Sequence, residues 1–147
     1  MSNLSKNPAF WDWELHDDDC CQYFRKIGPR TYEMIQCIWL DAYEEDPHPG
    51  HKEFVVVTGK INLNDLSGEE IEDTIKAFGY TLSQFEEWEE ASAQSMIAEC
   101  YLEDALFKDS CVIASFNSFP ETEAFVEKWI SEHKLDESVF HRINYTA

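Results

Sequence analysis

The chain has 147 residues, with 30 Asp and Glu against 11 Lys and Arg, for a formal net charge of −19. Such a field repels nucleic-acid phosphates and anionic membranes and attracts basic surfaces, so direct binding to nucleic acid or membrane is not expected. The hydrophobic fraction of 44% and aromatic fraction of 14% exclude a disordered chain. The length suits a single domain, 1–147, whose core needs no metal or disulfide staple.

Residues 1–19 read as a lead-in segment, pinned to the body by Phe10, Trp11 and Trp13, with His16-Asp17-Asp18-Asp19 as a solvent-facing turn. The stretch MSNLSKNPAFWDW carries no apolar run long enough for a signal peptide or a membrane span. The cysteines are Cys20, Cys21, Cys37, Cys100 and Cys111, an odd number. Without a secretory signal they predict free thiols in a reducing, cytoplasmic setting.

From Cys20 the hydrophobic period becomes two. Cys21 to Ile27 predicts a short strand, and Gly28-Pro29 a turn. Thr31 to Tyr43 predicts a longer strand with Ile35, Cys37 and Trp39 on one face and Tyr32, Met34, Ile38 and Leu40 on the other. Apolar residues on both faces suit a central strand. The loop Glu44 to Lys52 is broken by Pro47, Pro49 and Gly50, and Val-rich Glu53 to Leu63 predicts the next strand.

The start signals that follow are helical. Ser67-Gly68-Glu69-Glu70 is a capping box, Ile71, Ile75 and Phe78 share one face, and Gly79 is a left-handed stop. Thr81-Leu82-Ser83-Gln84 repeats the box and predicts a continuous helix to Leu106, with a weakly patterned patch at Ala91 to Ser95. Ser110 to Phe116 predicts a strand. Ser118-Phe119-Pro120-Glu121 starts a last helix with Phe125, Val126, Trp129 and Ile130 on its apolar face. Ser138 to Tyr145 suits an edge strand or extended segment. The expected class is α+β: a mainly antiparallel sheet of about four strands, with three helices packed on one face, including the pair 67–78 and 81–106.

Several chemistries find no support. The five glycines have no phosphate-loop spacing, and no G-x-S-x-G elbow is present. Basic patches for nucleic acid are missing, Arg25, Lys26 and Arg30 being the densest basic group. His16 with Cys20 and Cys21, or His48 with His51, are weak metal-ligand sets, since adjacent cysteines do not easily share one tetrahedral ion. A nucleophile built from Cys20 or Cys21 with His133 or His141 lacks a local activating group. No cofactor, metal or catalytic residue is therefore expected.

The acidic helices remain. Glu69, Glu70, Glu72 and Asp73 crowd one helix start, and Glu86, Glu87, Glu89 and Glu90 the next. Carboxylates there oppose the helix macrodipole, each contributing roughly 0.3–1 kcal/mol at low salt, so helix physics accounts for their placement. It does not account for the missing counter-charge: Thr81 to Phe107 holds seven acids, Glu99, Glu103 and Asp104 completing the set, and no base. A helix rises about 1.5 Å per residue, and duplex DNA presents a phosphate about every 3.4 Å per strand. A Glu every two or three residues approaches that density.

The expectation is a non-enzymatic acidic interaction protein. Its sharpest form is a nucleic-acid mimic that inhibits a nucleic-acid-binding partner by occupying its basic groove. One alternative is an immunity-type or adaptor protein anchored by Trp11, Trp13 and Trp88. The other is a small metal-binding protein or enzyme using His16, Cys20 and Cys21, or His48 and His51.

Overall fold

The computed structural model describes residues 11–81, 83–84, 87–88 and 90–135. These form five strands: β1 (Trp11–Asp17), β2 (Gln22–Gly28), β3 (Thr31–Trp39), β4 (Phe54–Asn62) and β5 (Val112–Phe116). They lie in the order β1-β2-β3-β4-β5, antiparallel at every pairing. Three helices accompany them among the described residues: α1 (Gly68–Ala77), α2 (Glu90–Ala105) and α3 (Phe119–Glu132). The α+β class with an antiparallel sheet is as expected. The segment 138–145 lies outside the described residues.

The sheet has five strands where about four were expected. The extra one is β1, cut from the supposed lead-in. Its register with β2 shifts between Trp11 and Glu14 and again between Leu15 and Asp17. Such irregularities and its alternating acids blunt a sheet edge against further pairing.

The expectation that all three helices share one face is corrected. On β3 and β4, Tyr32, Met34, Ile38, Val55, Val57 and Ile61 point to one face and bury Ala98 and Leu102 of α2 and Leu106 just after it. Ile35, Cys37 and Val56 point to the other face, where they meet Val126 and Ile130 of α3. A strand apolar on both faces must be covered on both. Each of the two fully buried leucines, Leu102 and Leu106, contributes about 1.5–3 kcal/mol through removal from water. Gly59 on β4 lets α2 approach, since a Cβ there would lie 3.1 Å from Leu102 Cδ2.

The continuous helix 81–106 is also corrected. Glu87 and Trp88 form a turn and a bend, and the helix begins at Glu90. Along a helix, Glu86, Glu87, Glu89 and Glu90 would stack like charges at i, i+3 and i, i+4 with no base to offset them, which destabilises helical geometry. The weakly patterned stretch Ala91 to Ser95 lies within α2.

The expected caps are present in differing degrees. Ser67 and Glu70 make a reciprocal capping box at α1. Thr81 and Gln84 make half of one, the Thr81 N–H donating to Gln84 Oε1 at 2.7 Å. Ser118 caps α3, accepting from the Glu121 N–H, with Pro120 in the first turn. Gly79, at φ 85°, closes α1: its N–H donates to Lys76 O at 3.0 Å and that of Tyr80 to Ile75 O at 2.9 Å. This is a Schellman ending, which needs a residue that tolerates positive φ.

Candidate interaction surface

Helix α1 packs against α2 on the sheet face opposite α3. The Schellman turn ends α1 at Phe78, and the ring is left 39% exposed. Of the three residues expected to share one face of α1, Ile75 is fully buried, Ile71 is half-buried and Phe78 is exposed. Two open depressions meet at this ring. One, of about 190 Å³, lies between the helices and is lined by Asp73, Thr74, Ala77, Phe78, Tyr101 and Asp104. The other, of about 270 Å³, shares Phe78 and Asp104 and continues past Glu103 to Tyr43 and Phe107. Tyr43 and Phe107 meet edge to face at 5.7 Å, and both are more than 40% exposed.

The described lining thus holds three carboxylates, Asp73, Glu103 and Asp104, four aromatic rings, and no Lys or Arg. Both volumes fall below the roughly 300–1,000 Å³ of small-molecule sites. They suit side chains of another macromolecule.

The acids marked from the sequence divide into two groups. Several have internal partners. Glu70 completes its capping box, and Glu72 accepts from Lys76 Nζ at 3.0 Å. Glu90 accepts from Gln94 Nε2 at 3.0 Å, Glu103 accepts from Gln22 Nε2 at 2.9 Å, and Glu99 lies 3.0 Å from His16 Nδ1. The side chains of Glu69, Asp73, Glu87 and Asp104 are exposed and make no ion pair or hydrogen bond among the described residues. Glu86 and Glu89 lie outside the described residues. The two groups are interleaved, so the carboxylates left for a partner form patches rather than one even track.

The residues of the alternative readings have structural places. His16 has a pKa raised above its usual 6.5, chiefly by its hydrogen bond to Glu99 against the opposing effect of burial. Cys21, just before β2, has φ 46° and lies in the core with Cys37, whose N–H donates to Cys20 O at 2.7 Å. Burial pushes the Cys21 thiol up to about 11 and Cys37 up to about 12, the reverse of nucleophilic activation. The Cys20 thiol is also raised, by burial and then by Asp17 and Asp19. Buried His48 caps the end of α2, its Nε2 lying 3.0 Å from Leu106 O, and His51 sits 2.8 Å from Asp109. No group of three or more His, Cys, Asp or Glu side chains among the described residues could hold a metal ion. None of the described helices is long and apolar enough to cross a membrane.

Of the tryptophans proposed as anchors, Trp13 is half-buried and edge-on to Trp129 at 5.4 Å, and its Nε1–H donates to His133 O at 3.2 Å. It helps to hold α3 onto the sheet. Trp88 is 38% exposed, 6.2 Å from Tyr80. Trp39, not marked from the sequence, is 49% exposed and donates through Nε1 to Glu53. Comparison with known proteins finds no matching family model, no similar curated protein and no similar solved structure.

Proposed function

We propose that this chain is a non-enzymatic acidic interaction protein that docks onto a basic protein surface through the α1–α2 side of the sheet. The observation that carries the reading is the pairing of exposed aromatic rings with carboxylates that lack a counter-charge. Phe78, Phe107 and Tyr43 supply apolar contact area, and Asp73 and Asp104 stand beside them without ion pairs among the described residues. Aromatic residues dominate the buried centres of interfaces. The net charge of −19 steers a basic partner towards the surface and repels acidic ones. All five cysteines are free thiols, which suits a reducing, cytoplasmic setting.

A nucleic-acid-mimicking inhibitor is the more specific form of the same reading. It requires an even run of free carboxylates. The interleaving of engaged and unengaged acids, and the break at Glu87 and Trp88, favour a basic protein segment over a groove shaped for duplex phosphates.

The test is capture from host lysate at low and high salt, with identification by mass spectrometry and direct titration of each purified candidate. The comparison protein carries Asp73, Glu87 and Asp104 changed to Lys. The expected result is a basic protein bound at low salt, released at high salt and not bound by the charge-reversed variant. A partner that binds both proteins equally at both salt concentrations would rule the reading out.

A further inference from the structure

The groove around Phe78 has a polarity along it that points to the form of its occupant. The ring stands at the C-terminal end of α1, where the aligned peptide dipoles concentrate partial negative charge and favour cations. The one base in the last turn of α1, Lys76, is turned to Glu72 at 3.0 Å. Asp104 flanks the ring from α2 and Asp73 from α1, while Ile38, Leu106 and Phe107 continue the apolar floor beyond it. An occupant that matches this lining presents an apolar side chain with cations close to it.

We propose that the α1–α2 groove binds a Lys/Arg-rich segment of the partner by seating one bulky apolar side chain of that segment against Phe78 and Phe107, with flanking cations at Asp73 and Asp104. This rests on the reading that the acidic face binds a basic protein. It adds that charge alone is not the recognition element. Long-range attraction raises the encounter rate, and the apolar anchor sets the residence time. The molecule contains its own comparison. A smaller depression of about 110 Å³ on the α3 face is lined by Asp18, Glu123 and Glu127, with Leu15 as its exposed apolar group. It has the carboxylates, but its one ring, Tyr23, is half-buried, unlike the exposed Phe78 and Phe107.

The experiment uses two fluorescein-labelled synthetic peptides of equal positive charge, one with a central Phe among lysines and one with Ala in its place. Both are titrated with the full chain by fluorescence anisotropy. The Phe peptide is expected to bind about tenfold more tightly, the gain for burying most of one such side chain. Phe78→Ala should remove that advantage, and Leu15→Ala should leave it intact. Phe107→Ser, on the same groove, serves as the second variant, with circular dichroism showing that each variant is folded. Equal binding of the two peptides would overturn the anchor while leaving the acidic-surface reading in place. Failure of both peptides to bind at low salt would overturn both.

Discussion

Phe78 and Asp104 belong to different helical segments, yet the ring of one and the carboxylate of the other line the same two depressions. Phe78 is held there by a helix ending and Asp104 by the outward side of α2, whose inward side carries the fully buried Leu102. Contact with a partner and contact with the core are thus divided between the two sides of one helix.

That division predicts opposite mutational costs. Asp104→Lys changes an exposed position and should shift unfolding free energy by no more than about 0.5 kcal/mol. Leu102→Ala, two residues away on the opposite side of the helix, should cost about 2–5 kcal/mol through lost burial and a cavity. Urea denaturation of the two variants checks this. Similar losses for both would show that the acidic side is structural.

Arg25 is the centre of a second relationship, the clasp that joins α3 to β1 and β2. Its guanidinium lies 4.0 Å from the Trp13 ring centroid and makes ion pairs with Glu33 at 2.7 Å and Asp12 at 3.3 Å. It also donates to the carbonyl of His133 at the end of α3. Arg25 is only 7% exposed. Arg25→Ala should therefore cost about 3–5 kcal/mol, because Glu33 would be left without its partner in a largely buried position. Arg25→Lys should recover a minority of this, lacking the planar fork and the stacking. A loss below about 1 kcal/mol in urea denaturation would contradict the clasp.

Much of the architecture was legible in the sequence because local signals and tertiary demands agreed. Val55 to Val57, the Ser67–Glu70 box and the Gly79 stop each form the element their chemistry favours. The splitting of the helices over two faces was implicit in the apolar residues on both sides of β3. It could not be assigned to particular helices without knowing which one crosses to which side. β1 carries a short strand signal, Trp11, Trp13 and Leu15 alternating with Asp12, Glu14 and His16, that the tryptophans' fit to a pinned lead-in obscures. The groove was the least legible part. Tyr43, Phe78 and Phe107 are brought together from a loop after β3, the end of α1 and the turn after α2. Periodicity places a helix-face Phe in a core, and only the Schellman geometry shows Phe78 at the rim. The acids were visible by count, but their engagement with His16, Gln22, Lys76 and Gln94 depends on tertiary contacts or rotamers.

The His16–Glu99 contact gives a pH signature. The folded-state pKa of His16 is raised above the usual 6.5, first by the Glu99 hydrogen bond. A raised histidine pKa contributes stability that is full below the unfolded value and is lost as pH rises through the folded one. Wild type should therefore exceed His16→Gln in stability by more at about pH 6 than at about pH 8.5, the difference staying below about 1 kcal/mol for a partly exposed pair. Thermal unfolding of both proteins at the two pH values checks this. A gap that widens at the higher pH would contradict the assigned contact.

The cysteines should separate by reactivity. Burial pushes the thiols of Cys21 and Cys100 up to about 11 and that of Cys37 up to about 12. All three side chains are buried, while Cys20 and Cys111 are partly exposed. At neutral pH, mass-resolved iodoacetamide labelling of the native protein should modify Cys20 and Cys111 well before the other three. Labelling of Cys37 at the rate seen in denaturant would contradict the packing described for the α3 face.

The central claim is that a basic partner binds at the α1–α2 groove and not merely wherever the protein is acidic. The most direct measurement is a chemical-shift map of the ¹⁵N-labelled chain titrated with the Phe-containing lysine peptide. Two other acidic patches, Asp17 to Asp19 and Glu44 to Asp46, act as internal references. The account predicts that the largest changes fall on Asp73, Phe78, Asp104 and Phe107, and that they diminish as ionic strength rises from about 0.01 to 0.15 M, where the Debye length shortens from about 30 to 8 Å. Changes of equal size at all three acidic patches, or largest at Asp17 to Asp19, would contradict it.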